Sequence, residues 1–98
     1  MAEGEKHYML VKYRPVGIVS VHGNLIENLY ILPAEQHKGY GHELLLFAIE
    51  HCEGIPRLLV LENNQKAQAL YQKHGFQFTG RKFPFPGNVY ELEMVKKL

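Results

Sequence analysis

An apolar run, a glycine-bearing loop and a helix follow one another between residues 25 and 52, and this order constrains the fold more than any other feature. Residues 25–32 are mostly apolar and are followed by Pro33, which predicts a strand that is buried on both faces. Apolar residues then recur at helical spacing from Gly39 to about Cys52. A second apolar run at residues 57–62 predicts another strand, so the segment is a βαβ unit with parallel strands and a right-handed crossover.

The flanking segments predict further strands and one more helix. Residues 7–13 and 16–22 are β-rich runs separated by Arg14 and Pro15, which indicates a hairpin. A helix over residues 64–74 and strands at residues 76–82 and 89–96 follow, with a loop over residues 83–88 between the strands. The whole pattern predicts a single α+β (mixed α/β) domain over residues 1–98, with a central, mostly antiparallel sheet, one parallel βαβ unit and two main helices.

The composition argues against several classes of function. The 11 basic and 10 acidic side chains are well mixed, so there is no basic stripe of the kind that binds nucleic acid. The single cysteine cannot form an internal disulfide, and no run of about 20 apolar residues predicts a membrane span. The six histidines show no helical pair with a matching third ligand, so we expect no metal. A cytoplasmic protein without nucleic-acid or membrane partners is the expectation.

The loop over residues 36–42, here called the glycine loop, has the chemistry of an anion site. Gly39 and Gly41 let the main chain approach an anion closely, and the helix that follows directs its positive dipole end at the loop. The loop lacks the Gly-Lys-Ser/Thr ending of a Walker loop and the third glycine of a dinucleotide fingerprint. Its backbone donors and the neighbouring Lys38 suit a phosphate. The alternative is that the glycines only close a turn.

The segment from Asn64 to Gly75 predicts a helix with a defined start and end. Asn64 is a good N-cap, and Gly75 suits the left-handed position after a helix. Ala67, Leu70 and Tyr71 share one face of this helix. By itself the pattern also fits an ordinary amphipathic helix with Tyr71 in the core.

Together the two segments resemble motifs A and B of the GNAT superfamily of acyl-CoA-dependent N-acetyltransferases, over residues 16–96. The resemblance implies a GNAT-like fold and transfer of an acetyl group from acetyl-CoA to a primary amine by direct attack. The alternative is a catalytically silent acyl-CoA-binding or regulatory module. The acceptor amine stays open.

The resemblance also implies roles for single residues. The glycine loop would cradle the pyrophosphate of coenzyme A (CoA), the strand before it would pair with the pantetheine arm, and the second helix would flank that arm. The implied cofactor-binding residues are Leu29, Tyr30, Ile31, Gln36, His37, Lys38, Gly39, Tyr40, Gly41, His42, Asn64 and Ala67.

Two residues carry the implied catalytic roles. Tyr71 would donate its O–H to the departing thiolate, and Glu27 would take a proton from the amine. Glu27 has the alternative of an exposed or edge-strand carboxylate. Weaker alternative bases are His22, His42 and His74.

The chain departs from the family pattern at its start. Most members begin with another strand and two helices before the hairpin that opens this chain, which leaves open a compact variant, a truncated product or a subunit completed by a partner. Without those elements the hairpin presents an apolar edge that tends to pair with another chain, so we expect a homodimer. The edge residues are Tyr8, Met9, Leu10, Val11 and Tyr13.

Overall fold

The computed structural model of the chain describes residues 4–97, which form two compact units. The first unit ends at Gly54 and the second begins at Ile55. The prediction of one domain over residues 1–98 stays a prediction. The elements in chain order are β1 (Glu5–Val11), β2 (Pro15–His22), β3 (Leu25–Ile31), a 3-10 turn (Pro33–Glu35), α1 (Tyr40–Glu50), β4 (Arg57–Leu61), α2 (Gln65–Lys73), β5 (Phe76–Phe85) and β6 (Val89–Lys96).

The first unit is an antiparallel sheet of β1, β2 and β3 with α1 packed on β2 and β3. Side chains alternate between the two faces of each strand, so the apolar residues of β2 at alternate positions meet the helix. Pairing places Met9 opposite Ile18 and Ile18 opposite Tyr30 on the other face. The buried apolar residues of this unit are Val16, Val19, Val21, Ile26, Ile31, Leu44, Leu45 and Ala48.

The prediction that the third strand is buried on both faces is wrong. Ile26 and Ile31 are buried, whereas Asn28 and Tyr30 are exposed. Asn28 has a left-handed backbone with φ of 56°, and the pairing of β3 with β2 shifts between Ile18 and Ser20. An irregularity of this kind bends the strand and re-aims the residues that follow it. The polar pair Glu27 and Asn28 therefore interrupts the run of apolar residues.

The second unit is an antiparallel sheet in which β6 lies between β4 and β5, with α2 packed on β5. Its buried apolar residues are Leu58, Val60, Tyr71, Phe76 and Met94. The predicted loop over residues 83–88 is too long, because β5 continues through Pro84 to Phe85. β5 is an edge strand of this unit, where a proline without an N–H is tolerated.

The two helices differ in whether a side chain caps their first turn. Asn64 caps α2 as predicted, since its Oδ1 accepts a hydrogen bond from the N–H of Ala67 at 3.1 Å. Gly75 follows α2 with a φ of 88°, which confirms its predicted left-handed position. In contrast, the N-cap of α1 is Gly39, which has a φ of 84° and no side chain to cap the helix.

Candidate functional site

The glycine loop connects the 3-10 turn after β3 to the first turn of α1. His37 and Gly39 have positive φ values of 67° and 84°, so left-handed residues lie on both sides of Lys38. Chains of this kind turn successive N–H groups toward one point and form anion-binding concavities. The first N–H groups of a helix have no acceptor within the helix, and the positive end of the dipole lies there. The loop therefore offers backbone donors to an anion.

The loop is accessible, and its first side chain ties it to the sheet. His37, Lys38 and His42 are exposed, and Tyr40 and Gly41 are half-buried. Gln36 donates from Nε2 to the carbonyl oxygen of Ile31 at 3.2 Å. The side chain of Gln36 thus holds the loop against the end of β3, a role that sequence reasoning did not identify.

A buried carboxylate lies directly before the loop. The side chain of Glu35 is 1% exposed. Its Oε2 accepts hydrogen bonds from Tyr13 Oη at 2.5 Å, from Arg14 Nε at 3.0 Å and from Arg14 Nη2, and its Oε1 accepts one from Lys38 Nζ at 3.1 Å. The hydrogen bonds from Tyr13, Arg14 and Lys38 lower the pKa of Glu35 from its ordinary 4.5 to about 2. Sequence reasoning missed this cluster, because its partners come from a turn more than 20 residues away.

The turn between β1 and β2 contributes a second link to the same region. Lys12 Nζ lies 3.0 Å from Glu43 Oε2 and 5.5 Å from the centroid of the Tyr40 ring. Lys12 and Arg14 from this turn, together with Lys38, place three cations beside the two carboxylates Glu35 and Glu43. The neighbourhood of the glycine loop therefore carries an excess of positive charge, which favours an anion.

The predicted pantetheine-binding residues form the last part of β3. Tyr30 pairs with Ile18 and Ile31 with Gly17, directly after the irregularity at Asn28. Leu29 is half-buried and Tyr30 is exposed. The structure brings Ile31 and the glycine loop together through Gln36.

Glu27 lies in the same strand, half-buried and opposite Ser20 of β2. The buried Ser20 Oγ is 2.7 Å from His7 Nδ1, and Asn28 Nδ2 donates to it at 3.4 Å. Directly opposite residues of an antiparallel pair have neighbouring side chains, so Glu27 belongs to this polar row. Sequence reasoning missed His7 and Ser20, since cross-strand pairing alone brings them together.

Tyr71, Asn64 and Ala67 belong to the second unit. Tyr71 is 9% exposed, and its ring packs edge-on against Phe76 with centroids 6.1 Å apart. Burial raises the pKa of the Tyr71 phenol above its ordinary value of 10.0, and the O–H, protonated at neutral pH in either case, is a hydrogen-bond donor. The Oδ1 of Asn64 accepts the hydrogen bond from the Ala67 N–H that caps the helix.

The described part of the chain contains neither a metal-ligand cluster nor a membrane-spanning helix. Within residues 4–97, no group of three or more His, Cys, Asp or Glu side chains is arranged to hold a metal ion. Among the helices that the structure describes, neither is long and apolar enough to cross a membrane.

Comparison with known proteins gives the context of this site. The sequence profile of the acetyltransferase (GNAT) domain matches residues 4–78. No curated protein sequence matches the chain at a significant level.

Solved structures share the fold over nearly the whole chain. An IAA acetyltransferase from Bacillus cereus is 19% identical, with a TM-score of 0.79, over 98% of this chain and 79% of that protein. A spermidine N-acetyltransferase from Vibrio cholerae is 20% identical, with a TM-score of 0.83, over 96% of this chain and 66% of that protein, just under two thirds of its length. An acetyltransferase from Bacillus subtilis in complex with CoA is 18% identical, with a TM-score of 0.82, over 98% of this chain and 78% of that protein. These likenesses confirm the predicted α+β fold class of the GNAT type.

The depressed pKa of Glu35 predicts a pH-dependent stability. A carboxyl group whose pKa is lower in the folded state stabilises the fold above its unfolded pKa and loses that contribution as pH falls. The contribution of Glu35 should therefore be complete above pH 4.5 and disappear toward pH 2. Urea unfolding of the wild type and of Glu35→Gln between pH 2 and 6 measures this: the difference in unfolding free energy should shrink as pH falls. A difference that stays constant across this window would contradict the assignment.

Proposed function

The chain belongs to the acetyltransferase (GNAT) domain family, and we propose that it transfers an acetyl group from acetyl-CoA to a primary amine by direct attack. One observation carries the proposal: the glycine loop presents backbone N–H groups at the uncapped start of α1, beside an excess of positive charge. Two of the similar structures support this choice of substrates. One is called a spermidine N-acetyltransferase, which supports an amine acceptor, and another is a complex with CoA, which supports an acyl-CoA donor.

In this proposal the glycine loop binds the pyrophosphate of CoA. Backbone N–H groups of the loop donate to the phosphate oxygens, and Lys38 supplies a neighbouring cation. The main chain of Leu29, Tyr30 and Ile31 is assigned to the pantetheine amides, and Asn64 and Ala67 to the flank of the pantetheine arm. The Ile31 carbonyl already accepts from Gln36, so Leu29 and Tyr30 are the stronger candidates.

The proposed reaction needs a base and an acid. A primary alkyl amine is mostly protonated near pH 7, so Glu27 takes its proton and frees the nitrogen lone pair for attack on the thioester carbonyl carbon. The carbon–sulfur bond then breaks and Tyr71 donates its proton to the departing thiolate. The second proton lost by the attacking nitrogen returns to the Tyr71 oxygen, and Glu27 releases the first proton to solvent. The phenol is protonated at neutral pH, since the ordinary pKa of tyrosine is 10.0 and burial raises the pKa of Tyr71 above it. Direct transfer requires no covalent enzyme intermediate.

We also propose a cytoplasmic homodimer that associates through the hairpin of β1 and β2. Met9, Val11 and Tyr13 are 59%, 57% and 69% exposed. β1 pairs with β2 on one side and is an edge of the sheet of the first unit. Exposed apolar edge strands favour pairing with a second chain.

An acetyltransferase releases free thiol from acetyl-CoA when an amine is present, whereas a catalytically silent acyl-CoA-binding module does not. The wild type is incubated with acetyl-CoA and single amines from a panel of polyamines, amino acids, aminoglycosides and lysine peptides, while free thiol is followed. We expect thiol release with at least one amine and the acetylated product by mass spectrometry. CoA binding by calorimetry without thiol release above the blank would instead favour the acyl-CoA-binding module.

Replacing Gly41 by valine tests the glycine loop. A β-branched side chain beside the first-turn amides of α1 should obstruct the approach of a phosphate, and we expect at least about tenfold weaker CoA binding by calorimetry. Leu46→Val is the matched control, because Leu46 lies in the same helix and is 43% exposed. Equal affinities of the two folded variants would remove the loop from the binding site.

Replacing Tyr71 by phenylalanine tests the acid. Only the hydroxyl is removed, so kcat should fall roughly tenfold to several hundredfold while the affinity for acetyl-CoA changes little. Tyr90→Phe is the control, because Tyr90 is 39% exposed and has no assigned role. An equal loss of affinity and turnover in Tyr71→Phe would favour a purely structural tyrosine.

The homodimer has a direct test in sedimentation velocity at micromolar concentration. The wild type should sediment at twice the chain mass of 11.3 kDa, and Met9→Lys should shift it toward the monomer, since a charge opposes pairing at this edge. A monomeric wild type that acetylates amines at full rate would contradict the proposed dimer.

A further inference from the structure

We propose that Glu35 is a positioning residue for phosphate binding: its buried carboxylate fixes the glycine loop and holds Arg14 and Lys38 beside it as cations for the phosphate groups of CoA. The inference rests on the proposed function, since it concerns the same loop. It adds the turn between β1 and β2 to the phosphate site, a segment outside the residues first assigned to it.

The contacts of Glu35 join two segments that are distant in sequence. Tyr13 and Arg14 come from the turn between β1 and β2, and Lys38 comes from the glycine loop. Gln36, the next residue after Glu35, is bonded to the end of β3 through the Ile31 carbonyl. Lys12 adds a parallel link from the turn to Glu43 in the first helical turn. Movement of the loop would break several of these contacts together.

The burial of Glu35 shows that the contacts are strong enough to hold a charge away from water. A buried carboxylate is costly unless hydrogen bonds and opposite charge compensate it, and here Tyr13 and Arg14 together supply three hydrogen bonds to Oε2. Arg14 alone neutralises the charge. Lys38 adds a second cation to the same carboxylate, so the cluster retains one positive charge.

That surplus charge is accessible. The side chains of Arg14 and Lys38 are 50% and 48% exposed, although the carboxylate they share is buried. A guanidinium has five N–H donors and an ammonium three, and the contacts with Glu35 use two and one of them. Lys38 belongs to the glycine loop, and Arg14 is bound to Glu35, the residue directly before the loop, so the remaining donors and the surplus charge belong to the surroundings of the loop. Phosphate is the anion that such a combination of amides, guanidinium and ammonium binds well.

The negative charge of Glu35 and its positioning of the loop should change the affinity for CoA in opposite directions. A variant that removes the carboxylate therefore shows which effect is larger. By its charge alone, Glu35 repels phosphate, so its neutralisation in Glu35→Gln would strengthen CoA binding. If Glu35 positions the site, the loss of its carboxylate frees the loop together with Arg14 and Lys38, so CoA binding weakens.

The experiment compares CoA binding by the wild type and by Glu35→Gln in calorimetry, with amide hydrogen exchange of the ligand-free proteins. We expect about tenfold weaker binding by Glu35→Gln and faster exchange of the amides of residues 36–42. In the acetylation assay, the KM for acetyl-CoA should rise while the KM for the amine stays unchanged. Glu50→Gln is the matched control, since it removes the same charge from the exposed far end of α1.

The outcomes separate this inference from the proposed function. If the wild type binds CoA and Glu35→Gln binds it equally or more tightly, the positioning role is wrong and the proposed function stands. If the wild type binds no CoA, the proposed function is wrong and the positioning role falls with it.

Arg14→Lys keeps the test valid where Glu35→Gln does not fold. It retains the charge but replaces the two donors from Nε and Nη2 by a single ammonium, so weaker CoA binding is again expected. Unchanged CoA affinity in the folded Arg14→Lys protein would overturn the proposal.

Discussion

The buried Glu35 carboxylate joins the turn between β1 and β2 to the glycine loop, and the geometry of the first unit at this end depends on it. Tyr13, Arg14 and Lys38 donate to it from two segments, and its neighbour Gln36 is bonded to the end of β3. A charged group removed from water demands such partners, so the carboxylate specifies where the turn and the loop must lie. The same contacts leave a positive charge beside a row of backbone amides. Glu35 therefore holds the turn against the loop and, in the proposed function, also positions the cations for phosphate.

The starts of the two helices show how the fold distributes its backbone donors. In α2 the Asn64 side chain accepts from the amide of Ala67, so one N–H of the first turn is satisfied within the protein. In α1 the N-cap is Gly39, which adopts a φ of 84° and has no side-chain acceptor for the first-turn N–H groups. Donors that a protein leaves without a side-chain cap are available to a ligand. The contrast supports assigning anion binding to α1 and a different role to α2, whose buried Tyr71 is the candidate acid.

Local sequence signals were sufficient for much of the fold and for part of the site. The Asn64 cap, the left-handed Gly75 and the glycine loop at the start of α1 depend on neighbouring residues, and the sequence predicted each of them. The irregularity at Asn28 was missed because an apolar run hides a change of register. Glu35 was missed because its burial depends on partners from the turn at residues 12–14, which only the tertiary fold brings close. Periodicity and caps report local structure, whereas buried polar clusters require long-range pairing.

The assigned function depends on the proposal that the glycine loop binds the phosphate groups of CoA. Titration of the ¹⁵N-labelled chain with CoA, followed by ¹H–¹⁵N correlation spectra, tests it at the level of single amides. The largest shifts should fall on the backbone amides of residues 36–42, and inorganic pyrophosphate should shift the same amides at higher concentration. Shifts that spare this loop, or no shifts at millimolar CoA, would contradict it.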